Sequence, residues 1–151
     1  DLKLIVTSVV DDFNNIHNSK SGINIKLNSN GSINYNILGI ENRIEQIIAN
    51  LLDNSISFSK ENQTIKVALS IDNNKKNIIL SVVDEGEGFK ESDTSKIFKR
   101  FYSNRPNKFG EHSGLGLNIV KNLVELHNGK ISASNNVGQK GAIIEIIFPK
   151  V

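Results

Sequence analysis

The sequence predicts an α+β two-layer sandwich with a mixed sheet. Three observations carry that expectation: apolar residues at helical spacing in three separate stretches, short runs of apolar/polar alternation between and after them, and an order that is not a regular β-α repeat. The predicted order is α, β, β, α, β, β, loop, α, β, β. At 151 residues the chain has the length of one domain, residues 1–151, with no internal repeat or linker. A chain this long buries roughly 70% of the surface its unfolded form exposes, so a core needs no disulfide or metal to hold it.

The first helix is expected over residues 4–17, with Leu4, Ile5, Val9, Val10, Phe13 and Ile16 on its apolar stripe. Ile23, Ile25 and Leu27 then alternate with polar residues, as do Ile33, Tyr35 and Ile37. Asn30-Gly31 lies between these runs, which predicts a hairpin, because Asn-Gly tolerates the positive φ of a tight turn. A second helix covers residues 40–58. Ile65, Val67, Leu69 and Ile71 alternate strictly, 72–77 is polar, and 78–83 is almost continuously apolar, which predicts two strands with the second buried on both faces. From 84 to 113 the pattern dissolves except for Ile97, Phe98, Phe101 and Tyr102, and a loop that long in a compact domain points to function. Residues 115–127 form a third helix, with Leu117, Val120, Leu123 and Val124 inward and Asn128-Gly129 as its stop. Two last strands, 131–134 and 142–148, flank the turn Val137-Gly138.

Composition excludes several classes of function. With no Cys there is no thiol catalysis, thiolate metal site or disulfide scaffold. A net charge of +2, with no basic block carrying interleaved aromatics, gives no reason to expect nucleic-acid binding. No apolar run approaches the ~18 residues of a membrane span, and the start, Asp1-Leu2-Lys3-Leu4, lacks the pattern of a secretory leader. The piece is therefore expected to be soluble, and with no Met and an Asp at position 1 it is expected to be a fragment of something longer.

Three clusters carry chemistry. On the second helix, Arg43, Gln46, Asn50, Asn54 and Ser57 fall within about 40° of one line, beside the apolar stripe of Ile44, Ile47, Ile48, Leu51 and Phe58. Asn is a poor helix former, and its amide oxygen is a hard neutral ligand suited to Mg²⁺ shared with phosphates and water. An ordinary polar face in a chain with 22 Asn gives the same pattern. Next, Asp84-Glu85-Gly86-Glu87-Gly88-Phe89 places an acid directly after a buried strand, where it can accept a hydrogen bond from an exocyclic amine at a pocket rim. A solvent turn also favours Asp, Glu and Gly. Finally, Ser113-Gly114-Leu115-Gly116-Leu117 opens the third helix, whose free N–H groups suit an anion such as a polyphosphate, although close helix packing would equally select glycine. Together, in this order and around a long loop, they describe a single nucleotide site with a lid over about 86–113.

These motifs resemble those of sensor histidine kinases. Arg43-Ile44-Glu45-Gln46-Ile47-Ile48-Ala49-Asn50-Leu51-Leu52-Asp53-Asn54 is similar to their N box. Asp84-Glu85-Gly86-Glu87-Gly88-Phe89 resembles the G1 box, Ile97-Phe98-Lys99-Arg100-Phe101-Tyr102 the F box, and Ser113-Gly114-Leu115-Gly116-Leu117 the G2 box. Leu126-His127-Asn128-Gly129 and Gly141-Ala142 fit the closing elements, so the resemblance spans essentially the whole chain. Asn54-Ser55-Ile56-Ser57-Phe58-Ser59, Phe101-Tyr102-Ser103-Asn104-Arg105-Pro106 and Phe109-Gly110-Glu111-His112-Ser113 look most like the membrane sensor kinases of the ChvG/ExoS type.

The resemblance implies the GHKL (Bergerat) ATP-binding fold, a sheet packed on three helices with a flexible ATP lid. It implies that Asn50 and Asn54 hold Mg²⁺ and the phosphates, that Asp84 takes the adenine amino group, and that Gly86 and Gly88 shape the adenine pocket. Phe98 would anchor the lid, Arg100 would approach the terminal phosphates, and Ser113, Gly114, Leu115, Gly116 and Leu117 would wrap them. Phe58 stands where many relatives place a Tyr against the nucleotide, and Ser57 where many carry a Lys, for which Lys108 or Arg105 could substitute. Gyrase-like and chaperone ATPases of the same fold carry a general-base Glu where this chain has Asn50, so the chain is expected to bind ATP and await another nucleophile.

That nucleophile is expected outside the chain. Neither His17, His112 nor His127 is followed by the acid and basic residue of a phosphoacceptor motif, and all three are read as structural, with His127 placed to favour a helix C-terminus by its charge. The expectation is the catalytic domain of a cytoplasmic portion of a bacterial inner-membrane sensor. It would transfer the γ-phosphoryl group of MgATP to a histidine on an upstream dimerisation domain, feeding a response regulator. The fragment itself is expected to be monomeric, with no apolar stripe left for a dimer interface. Two alternatives are a GHKL serine kinase acting on a partner protein and a nucleotide-binding interaction module that has lost transfer.

Overall fold

The computed structural model of the chain describes residues 1–90, 93–99 and 116–151. The described elements are α1 (Leu2–Ser21), β1 (Asn24–Asn28), α2 (Glu41–Ser57), β2 (Thr64–Ile71), β3 (Asn77–Val83), a 3-10 helix (Thr94–Phe98), α3 (Gly116–Leu126), β4 (Lys130–Asn135) and β5 (Ala142–Pro149). The strands form one sheet in the order β1-β2-β3-β5-β4, with β1 parallel to β2 and every other pair antiparallel. The helices cover one face, α2 lying between α1 and α3. This is the mixed two-layer sandwich expected from the sequence.

The expected hairpin between 23 and 37 does not form. The turn is there, with Ile33 N–H donating to Asn30 O, but Asn30 Oδ1 accepts from Ser32 N–H and Gly31 keeps an ordinary negative φ. Residues 33–37 then leave the sheet. Their alternation reflects a different burial: Tyr35 is 1% exposed, its hydroxyl accepting from Asn30 N–H and donating to Leu69 O. The backbone of this segment is spent on the chain's two ends, since Tyr35 O accepts from Leu2 N–H and Asn36 O from Val151 N–H. β1 instead pairs in parallel with β2, with α2 supplying the crossover that a parallel pair needs. Its free edge is closed by Asn14 of α1, whose amide exchanges two 2.9 Å hydrogen bonds with the backbone of Ile25.

Two other expectations are corrected. β3 is buried on one face only, at Ile78, Leu80 and Val82, because the helices occupy a single side of the sheet. In α1, Leu2, Val6 and Val10 face the core while Leu4 (68% exposed) and Ile16 (51%) face out. The buried spacing of four follows the line along which a straight helix lies on its neighbours, and Leu4 and Ile16 fall off it. The C-terminus of α1 is closed by Gly22 at φ +69, whose N–H donates to Asn18 O. Buried side chains from all three α-helices, β1, β2, β3, β5 and the 3-10 helix form one contiguous core.

Candidate nucleotide site

α2 brings its polar line from solvent to the interior. Arg43 is exposed, Gln46 and Asn50 are half-buried, and Asn54 is buried at 8% exposure. α2 packs on α3, α1 and β3, and its polar line becomes buried at Asn54. Asn54 Nδ2 is fully buried and has no hydrogen-bond partner among the described residues. An unsatisfied buried donor of this kind costs about 1–3 kcal/mol. Ser57 contributes nothing in that direction, since its hydroxyl donates back to Asp53 O at 2.9 Å, and the half-buried Phe58 closes the helix.

Asp84 follows β3 and is 2% exposed. Its Oδ1 accepts from Gly86 N–H at 3.0 Å and from Ala142 N–H at 3.1 Å, while its own N–H donates to Ala142 O. The carboxylate is therefore held from both sides, by its own turn and by the start of β5. Gly141 makes this possible: at φ +127, a Cβ there would lie 2.0 Å from Asp84 O. Gly88 has φ +79 and a second constraint, because a Cβ would approach Asn135 Oδ1 to 2.7 Å. That Asn135 amide accepts from Phe89 N–H and donates to Phe89 O, at 2.7 and 2.9 Å. Thus Gly88 serves the seating of its own turn on β4, while Gly86 donates to the acid and is buried.

The third cluster is described only in part. Arg100, Ser113, Gly114 and Leu115 lie outside the described residues, as do Lys108, Arg105, His112 and most of the segment expected to form a lid. Gly116 is the first residue of α3, and a Cβ on it would meet nothing within 4 Å. Among the described residues, close packing does not account for this glycine. Leu117 is half-buried against the core. Phe98 is buried at 4% exposure, and its carbonyl accepts from Asn118 Nδ2 at 3.1 Å, which ties the 3-10 helix to α3.

The histidines within reach are structural, one of them differently from expectation. His127 Nδ1–H donates to Leu123 O at 2.7 Å and its Nε2 accepts from Ile40 N–H at 3.1 Å, so the ring joins the end of α3 to the entry of α2. It thus bridges two elements through both ring nitrogens. His17 stacks on Phe13 with ring centroids 5.8 Å apart.

The arrangement is a buried amide on a helix, an acid fixed at the end of a central strand, and a helix start uncrowded by side chains of the described residues, all on the helical side of the sheet. Histidine kinase-, DNA gyrase B- and HSP90-like ATPases match residues 39–151 as a family. The chain belongs to that family. Among individual relatives, the sensor protein ChvG of Rhizobium meliloti is 34% identical over 149 residues, covering 95% of this chain and 26% of that protein. ChvG of Agrobacterium fabrum is 35% identical over 150 residues, covering 95% and 25%. Sensor protein KdpD of Clostridium acetobutylicum is 42% identical over 110 residues, covering 71% and 12%. The chain thus spans about a quarter of the ChvG proteins it matches. The catalytic domain of histidine kinase ThkA superposes with a TM-score of 0.82 at 26% identity, covering 98% of this chain and 91% of that one. The mycobacterial sensor histidine kinase MprB superposes at 0.81 and 23% identity, covering 99% and 95%, and supports the fold.

Sequence reasoning missed Asn135, Asn118 and the dual constraint on Gly141. Asn135 and Asn118 are two among 22 Asn, and only the turn that each meets in space distinguishes them. Gly141 carried a signal, standing immediately before an alternating strand, but not the reason for it.

Proposed function

We propose that this chain binds MgATP between α2, the Asp84–Phe89 turn and the start of α3. We further propose that it presents the γ-phosphoryl group to a histidine on another domain of a longer sensor protein. The observation that carries this reading is Asn54, a buried amide whose Nδ2 has no partner among the described residues, on the polar line of a helix that packs on both β3 and α3. Its oxygen would hold Mg²⁺ and its Nδ2–H would meet a phosphate oxygen, with Asn50 one turn earlier on the same line. Mg²⁺, when bound, neutralises phosphate charge.

The chain's own groups divide the remaining work. Asp84 fixes the base by accepting from its amino group, because two backbone N–H groups hold the carboxylate in place. The first N–H groups of α3, from Gly116, lack intrahelical acceptors, as at any helix start, and could take phosphate oxygens. Ser113, Gly114 and Leu115 would extend that cradle, Phe98 would anchor the segment before it, and Arg100 would meet the terminal phosphates. Asn50 has no basic group with which to activate water, so this site positions the nucleotide for an external nucleophile. His17 and His127 are both occupied structurally, and none of the three histidines, His112 included, is followed by the acid and basic residue of a phosphoacceptor motif, so the role would fall to a histidine in another domain. The longer protein would sit in a bacterial membrane with this domain on the cytoplasmic side, dimerise through the histidine-bearing domain, and pass the phosphoryl group to a response regulator. ThkA has been crystallised in complex with the response regulator protein TrrA.

One observation favours a second reading, a nucleotide-binding module without transfer: Ser57 turns to its own helix and supplies no cation to the phosphates. Calorimetric titration of the chain with ATP, with and without Mg²⁺, tests the binding half. Micromolar to sub-millimolar affinity, about −8 to −5 kcal/mol, that requires Mg²⁺ is expected, and a folded chain that ignores MgATP refutes it. Labelled phosphoryl transfer from ATP to histidine in the longer protein separates kinase from module.

A further inference from the structure

The first turn of α3 has little of its own to hold it. The buried side chains of the helix, Val120 and Val124, begin one turn in, and just past its far end His127 is joined to Ile40 N–H. Its first residue, Gly116, brings no side chain to pack and favours fraying. Among the described residues, the first turn is held by Leu117, half-buried against the core, and by the amide of Asn118. Asn118 is half-buried, and its Nδ2 donates to Phe98 O at 3.1 Å. A carbonyl can only accept, so the amide nitrogen has to face it. Asn in a helix ordinarily competes for nearby backbone, whereas this one reaches the last residue of a different element. That element is itself anchored: Ile97 and Phe98 are buried, and Thr94 Oγ1 donates to Ala133 O of β4. The Asn118 bond thus ties the first turn of α3 to a segment that is tied in turn to the sheet.

We propose that Asn118 is a positioning residue for the phosphates of the nucleotide. With its side-chain amide spent on Phe98, it acts through the first turn of α3, holding the N–H groups that follow Gly116 in one place. The proposal rests on the nucleotide reading above and adds to it which end of the ligand this residue serves. The base end is held by separate bonds, Asp84 to Gly86 and Ala142, and Phe89 to Asn135. Loosening the first turn should therefore weaken the hold on the phosphates and spare the base. Alanine is the best helix former, so Asn118→Ala removes the bond to Phe98 without weakening the helix that carries it.

The test compares MgATP with adenosine on the unaltered chain and on Asn118→Ala, using calorimetry for MgATP and the backbone amide resonances of the labelled chain for adenosine at millimolar concentration. Asn118→Ala is expected to keep its melting temperature within a few degrees, to bind MgATP about tenfold more weakly, and to bind adenosine as the unaltered chain does. Asn122→Ala is the control, since Asn122 is exposed and its Nδ2 lies 3.5 Å from Asn118 Oδ1, away from the bond to Phe98; it should leave both affinities unchanged. Equal weakening of both ligands by Asn118→Ala, or a melting temperature lowered by more than a few degrees, would overturn the proposal, because the bond would then serve the fold as a whole. Undiminished MgATP affinity in Asn118→Ala would overturn it as well, and would leave the nucleotide reading standing. An unaltered chain that binds neither ligand would remove the nucleotide reading and the proposal with it.

Discussion

Asn54 costs stability where it stands, and that cost is the clearest trace of a ligand at the level of single residues. A buried amide donor without a partner is worth about 1–3 kcal/mol against folding, so removing it should not unfold the chain. Asn54→Ala is expected to keep the melting temperature within a few degrees while Mg²⁺-dependent ATP binding disappears; undiminished affinity in calorimetry would remove the metal assignment. Asp84 differs, because its carboxylate already accepts two backbone N–H groups. Asp84→Asn keeps one acceptor oxygen for them and puts a donor on the other branch. It is therefore expected to weaken ATP and to narrow the preference for ATP over GTP, measured by competition. A preference that stays the same would mean that Asp84 holds the turn and not the base.

At the scale of elements, the Asp84–Phe89 turn is held by the β4–β5 hairpin as much as by its own glycines. Gly141→Ala would drive a Cβ to 2.0 Å from Asp84 O in a backbone region that L residues avoid. A loss of more than about 3 kcal/mol in denaturant unfolding is expected, together with loss of ATP binding; a stable variant would show that the start of β5 can shift. The β2–β3 turn gives a pH prediction. Asp72 Oδ2 accepts from Asn77 Nδ2–H, and Oδ1 from the N–H groups of Asn77 and Lys76. These bonds, the Asn77 side chain's first, hold its carboxyl below the ordinary carboxylate value. The folded chain thus binds this proton less readily than the unfolded chain, so the turn's contribution is full at neutral pH and is lost as pH falls through the lowered value. Asp72→Asn should flatten the acid side of the stability profile, and a parallel loss of stability at all pH values would contradict this.

Sequence pattern and structure agree best where an element is fixed by its own periodicity. α2, β2, β3, α3 and β5 fall within a few residues of expectation, because each buries one face on a neighbour and the spacing of its apolar residues records that face. Periodicity fails at Tyr35, whose alternation records burial of one ring with its hydroxyl on Leu69 O of β2, and not membership of the sheet. Alternation tells which face is inward, but says nothing about which strand lies alongside, so by itself it pairs β1 with the wrong segment.

For the molecule as a whole, ligand binding and stability should be linked. At 100 times its dissociation constant, MgATP would add about 2.7 kcal/mol, which for a chain of this size raises the melting temperature by about 5–10 °C. A thermal scan showing no rise with MgATP, beside an unchanged scan with Mg²⁺ alone, would count against a nucleotide site. The sequence by itself determined the layer architecture, the order of the three chemical clusters and the family, because each rests on residues close together along the chain. Only the tertiary structure decided that β1 runs parallel to β2, that Asn54 is buried without a partner, that Gly141 exists to let β5 approach Asp84, and that Asn118 reaches the carbonyl of Phe98. Each of these is a meeting of segments distant in sequence, set by which surfaces pack together, and no local pattern of side chains encodes it.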